Sequence, residues 1–142
     1  HKEYRRQRQM CIRDSRYTIQ NELLDLYDDV KVGLSDLNEQ KALTINGPAS
    51  KLFKRATRMS FIQGQKQAID EMNQLLETYD EDEQFLEHYN QLASRIRNDN
   101  IEKVFSFSNL TDIPSHFEET IADLYFSKGQ NFIIKHINSI ME

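Results

Sequence analysis

Residues 80–98 read DEDEQFLEHYNQLASRIRN. Phe85, Leu86, Tyr89, Leu92, Ala93 and Ile96 recur at helical steps, so they line one face of an α-helix. Asp80 to Glu83 place negative charge beside the positive end of that helix's dipole. They also supply an acid at the cap and another three residues on. Asn98-Asp99-Asn100 is expected to end this helix and to cap a short one from Ile101 to about Phe107.

The same period extends both ways along the chain. Upstream, Ser15 reads as the cap of a first helix whose inner face is Ile19, Leu23, Leu26, Tyr27, Val30, Leu34 and Leu37. Gly33 weakens that helix or marks a break. Residues 41–49, KALTINGPA, form the clearest loop, and Pro48 or Ser50 starts the next helix. Leu52, Ala56, Met59, Ile62, Ile69, Met72, Leu76 and Tyr79 keep helical spacing through it. Gly64 sits in its middle at a cost of about 1 kcal/mol against Ala, which kinks the helix or divides it.

Downstream, Ser115-His116-Phe117-Glu118 reads as a capping box after an Asp112–Pro114 loop. Phe117, Ile121, Leu124 and Tyr125 give the buried face, and Gly129 suits a helix end. A last helix carries Phe132, Ile133, Ile137, Ile140 and Met141. The best strand candidate, Val104 to Phe107, is too short for a sheet. The fold expected is all-α, a helical bundle of five to six amphipathic helices in one domain over residues 15–142.

Composition narrows the class. The chain has 142 residues, 29% of them charged, with only 4 Gly and 2 Pro to interrupt helices. Eight Phe and six Tyr argue for a packed core rather than disorder. Cys11 is the one cysteine, so no intramolecular disulfide and no thiolate zinc site can form. No apolar run is long enough to span a bilayer, and no apolar segment follows the basic N-terminus as in a signal peptide. These features point to an intracellular, cytoplasmic location. The start at His1 reads as a fragment or a processed form. Met10-Cys11-Ile12-Arg13-Asp14-Ser15 resembles a string left by translated sequencing adapters. Residues 1–14 are therefore read as a basic arm, non-native or flexible.

Charge is segregated. The net charge is −5. Yet no acid occurs from Gln40 to Ile69, where Lys41, Lys51, Lys54, Arg55, Arg58 and Lys66 lie. Asp70 to Glu87 then hold only acids. Lys51, Lys54, Arg55 and Arg58 fall at i, i+3, i+4 and i+7 and so share one helix face. Such a face suits an acidic partner, a phosphate or a carboxylate. The same spacing also fits a solvated face paired with the acidic block at Asp80–Glu87.

Other chemistry finds little support. Asp28, Gly33, Asp36 and Glu39 match positions 1, 6, 9 and 12 of a calcium-binding loop, but Val30 and Val32 offer no side-chain oxygen at positions 3 and 5. His88, His116 and His136 lack the Glu-x-x-His and His-Glu-x-x-His spacings of metal sites. No nucleophile elbow or phosphate-binding glycine loop is present. No catalytic residue, metal ligand or cofactor is therefore assigned.

The expected function is a non-enzymatic protein–protein interaction module: an adaptor, an inhibitor or a small subunit of a larger assembly. Its partner-binding residues are Lys51, Lys54, Arg55 and Arg58. Phe53, Phe61, Phe107 and Phe126, beside the main stripes, are candidate interface anchors or a wider core. The alternative is a nucleic-acid-associated protein that uses the basic arm and the same cationic stripe, with the overall acidity against it.

Overall fold

The computed structural model describes residues 2–39 and 47–141, with side chains from Ser15 onward. Four helices follow in chain order: α1 (Lys2–Glu39), α2 (Ala49–Thr78), α3 (Asp82–Ser108) and α4 (Phe117–Met141). The described residues contain no strand. No helix among them is long and apolar enough to cross a membrane.

An all-helical bundle is therefore what the described residues form, with four helices among them where five or six were expected. Each difference has a local cause. α1 runs from Lys2, so Ser15 lies buried inside it rather than capping its start. α1 also passes unbroken through Gly33, which packs against Ile62. α2 is one helix through Gly64. α3 continues past Asn98-Asp99-Asn100, and the side chains of Asp99 and Asn100 find partners other than the local backbone. Asp99 pairs with Lys103 one turn on, and Asn100 accepts a hydrogen bond from Ser127 of α4. α4 continues through Gly129, whose role is close packing rather than termination.

One expected cap also differs, and one was not foreseen. Glu81 caps α3 without a side-chain hydrogen bond, leaving Asp82 and Glu83 to act through their charge in the first turn. A cap not foreseen lies at the other end of α2. Arg16 donates to the carbonyls of Leu76 (2.9 Å) and Asp80 (2.6 Å), tying α1 to the C-terminus of α2.

Paired residues fix the helix directions. Glu71–Arg95 and Tyr79 stacked on His88 set α2 antiparallel to α3. Asn100–Ser127 and Tyr89–Asn138 set α3 antiparallel to α4. Hence α2 and α4 run parallel, and they share the largest interface. Gly64 and Gly129 make their crossing possible. A Cβ on Gly64 would drive into the carbonyl of Phe126, and one on Gly129 into the carbonyl of Phe61. Phe61 and Phe132 close one side of the crossing with an edge contact, and Gln130 donates to Gln67. α1 lies along α2, with Gly33 beside Ile62 and Arg16 at the far end.

The core is built from Ile19, Leu23 and Val30 of α1, Ile69 and Met72 of α2, Phe85, Tyr89 and Ile96 of α3, and Ile133 and Ile137 of α4. Burial pushes the Tyr89 phenol well above its ordinary pKa, and its hydroxyl donates to Asn138 Oδ1 at 2.6 Å. His136 of α4 reaches back to Glu22 of α1 at 2.6 Å.

Candidate partner-binding surface

The core does not fill the bundle to both ends. On α2 the first buried residue is Ser60, and none of residues 49–59 is buried. From residue 97 of α3 to residue 113 of the connection that follows it, none is buried. Leu52, Ala56 and Met59, expected on the core face, are instead half-buried or exposed. The helix directions bring the start of α2, the end of α3 and the start of α4 to one end of the bundle. That end is open.

Lys51, Lys54, Arg55 and Arg58 all lie there, on the projecting turns of α2. Their register carries more meaning than their spacing. Arg55 stands seven residues before Ile62, which stands seven before Ile69 and fourteen before Leu76. These three are buried core residues. Lys51 and Arg58 are on the line that reaches Met72, and Lys54 is on the line through Phe61 and Ala68. A seven-residue step nearly repeats the same helix direction. The cations therefore continue the inward-facing seam of α2 past the point where the apolar core stops.

Lys51, Lys54 and Arg58 are exposed, and Arg55 is half-buried. The ion pairs found among the described residues are Lys66–Asp70, Arg95–Glu71, Lys103–Asp99 and His136–Glu22. None involves Lys51, Lys54 or Arg58, so the acidic block at Asp80–Glu87 does not pair with them. That block lies at the opposite end, beside the contact of Arg16 with Asp80. Apolar groups accompany the cations. Phe53 is 48% exposed and Met59 44%. A groove of about 450 Å³ runs beside them, lined by Leu34 and Leu37 of α1 and by Leu52, Arg55 and Met59 of α2.

A second apolar surface lies at the same end, and the helical period alone did not mark it. Ile101, Val104 and Phe105 form an exposed turn of α3, with Phe105 69% exposed. Leu110 and Ile113 extend the patch into the α3–α4 connection. Phe107, an expected anchor, is half-buried and lines a groove of about 310 Å³ with Leu110 and Leu124. Phe61 and Phe126 belong to the α2–α4 crossing. The signal available in the sequence was the apolar turn Ile101-Val104-Phe105, which lies off the line of Phe85, Tyr89, Leu92 and Ile96.

Other candidate groups do not converge. Residues 28–39 are helical, so the calcium-loop register does not wrap around an ion. His88 stacks on Tyr79, and its Nδ1 lies 2.9 Å from the Gln84 carbonyl oxygen. His116 lies just before α4, and His136 stacks on Phe132 beside Glu22. Among the described residues no group of three or more His, Cys, Asp or Glu side chains could hold a metal ion. A groove of about 530 Å³ lies between α2 and α3 around Tyr79, His88 and the Glu71–Arg95 pair, whose charges already satisfy each other.

No known protein family, no curated protein and no solved structure matches the chain.

Proposed function

We propose that this chain is a non-enzymatic protein–protein interaction module, an adaptor, inhibitor or assembly subunit, and that the projecting start of α2 receives an acidic, amphipathic segment of a partner. One observation carries the reading: Lys51, Lys54, Arg55 and Arg58 occupy the inward seam positions of α2 where its apolar core residues have run out. A segment covering this end can bury apolar side chains against Phe53, Met59, Leu34 and Leu52. It must also bring carboxylates to Lys51, Lys54 and Arg58, because covering a charge without a counter-ion is costly. Acids on the partner thus set its register and orientation, while apolar contact supplies most of the affinity.

The test uses a fluorescent synthetic helix made of Leu and Glu, titrated against the protein by anisotropy. The variant is Lys54→Glu with Arg58→Glu. The expected result is saturable binding, weakened by about tenfold or more in the variant, equivalent to about 1.4 kcal/mol. Added salt also weakens it through screening. Equal affinity for both proteins would overturn the reading. So would stronger binding to a DNA duplex with a steep salt dependence, the signature of a nucleic-acid-associated protein.

A further inference from the structure

We infer that the partner at this end is a second copy of the same chain, joined through a two-fold axis. The inference rests on the interaction reading above and names its partner. Its ground is that the open end carries two surfaces of opposite charge, each with exposed apolar groups. One is the α2 tip, with Lys51, Lys54 and Arg58 beside Phe53 and Met59. Residues 47–60, which contain this tip, include no acid.

The other surface is the α3–α4 tip. Ile101, Val104, Phe105 and Ile113 are exposed there, among the exposed acids Glu102, Asp112, Glu118, Glu119 and Asp123. None of these acids is in an ion pair found among the described residues. Lys103, the nearest cation on α3, is held by Asp99. The patch of Ile101, Val104 and Phe105 lies on the face of α3 turned away from Phe85, Tyr89, Leu92 and Ile96, so the chain's own core does not cover it.

A two-fold dimer is the arrangement that uses both tips at once. The basic tip of one copy meets the acidic tip of the other, and the axis repeats the contact in reverse. Each copy then contributes one surface of each charge, and the assembly closes without leaving a sticky face. A foreign acidic partner would leave the α3–α4 patch exposed. Apolar surface of that kind on a monomer is unusual without an occupant.

The experiment is sedimentation equilibrium of the full chain over a wide concentration range, with a pair of charge-swap variants. The first is Lys54→Glu with Arg58→Glu. The second is Glu102→Lys with Asp112→Lys, which spares Glu118 and Glu119 in the first turn of α4. The wild type is expected to dimerise. Each variant alone should dissociate at about tenfold or more higher concentration. An equimolar mixture should recover a 1:1 complex, because one of its two contacts keeps the wild-type charges and the other sets the acids introduced in one variant against the lysines introduced in the other. Phe105→Ser, at an exposed site, should also weaken the dimer without altering charge.

A wild type monomeric at every concentration overturns the inference. So does a dimer that both charge variants and Phe105→Ser leave intact, or a mixture that fails to pair. If the wild type is monomeric but still binds the Leu/Glu helix, the second copy is excluded and the interaction reading stands. If the helix fails as well, both fall.

Discussion

Replacing Gly64 with Ala adds one methyl group at the point where α2 crosses α4. In an isolated helix that change stabilises by about 1 kcal/mol, because Gly spends more backbone entropy than Ala. Here the new Cβ meets the carbonyl of Phe126, and at Gly129 it meets the carbonyl of Phe61. Both obstacles are main-chain atoms of a helix, so no side-chain rotation relieves them. The helices must move apart, and the contacts around Phe61, Phe132, Ala68 and Ser127 loosen together. Overpacking of this kind costs about 3 kcal/mol at the upper end of its usual range. Less the propensity gain, each substitution should destabilise by about 2 kcal/mol.

Gly33 is the internal control. Its added Cβ would lie 2.8 Å from Ile62 Cδ1, the free end of a flexible side chain that can swing away. Gly33→Ala should therefore leave stability within about 1 kcal/mol of the wild type, with the propensity gain offsetting the small shift. Urea unfolding followed by circular dichroism separates the cases. With a slope of about 2 kcal/mol per molar, the midpoints of Gly64→Ala and Gly129→Ala should fall by about 1 M. A Gly64→Ala midpoint equal to or above that of Gly33→Ala would refute the close parallel crossing.

Further outcomes follow from single contacts. Arg16→Ala removes the side chain that caps the last carbonyls of α2, and should cost about 1–2 kcal/mol with faster amide exchange near residues 76–80. Tyr89→Phe should cost about 1 kcal/mol at neutral pH by deleting the bond to Asn138. Because burial raises the Tyr89 pKa, the folded state holds its proton longer than the unfolded state does. The wild type should thus lose stability as pH rises above about 10, by up to about 1.4 kcal/mol per pH unit relative to the Phe variant, in parallel melts across that range. At concentrations where the wild type is monomeric, Lys54→Glu with Arg58→Glu should leave the urea midpoint nearly unchanged, within about 0.5 kcal/mol per site, since both side chains are exposed.

Helices and most of their inner faces were legible in the sequence because apolar residues at three- and four-residue steps have one simple solution. Ile19 to Leu37 and Phe85 to Ile96 came through with few changes. Helix ends were less legible, for two physical reasons. A glycine inside a helical pattern looks the same whether it terminates the helix or admits a neighbouring backbone, and Gly64 and Gly129 belong to the second kind. A polar triplet such as Asn98-Asp99-Asn100 looks like a cap until Lys103 and Ser127 are seen to occupy its side chains. Both depend on residues distant in sequence or on the far side of the turn. The cationic stripe was legible as a group, but its direction was not, because spacing fixes which residues share a face and not what that face meets.

Direction is what changes the physical meaning of Lys51, Lys54, Arg55 and Arg58. On an outward face, four cations would be hydrated, and neighbouring charges would decide little about the fold. Arg55 is in register with Ile62, Ile69 and Leu76, Lys51 and Arg58 with Met72, and Lys54 with Ala68, so the four stand where an extension of the bundle would pack. Closing the bundle over them with more apolar residues would strand positive charge away from water. The core therefore stops near Ser60, and the turns before it stay open with Phe53 and Met59 uncovered. In the proposed reading, a cover for this end would gain by carrying anionic groups among its apolar residues. Under the proposed interaction reading, the stripe would be a selective terminus to the core, rejecting a purely apolar neighbour and accepting an acidic one.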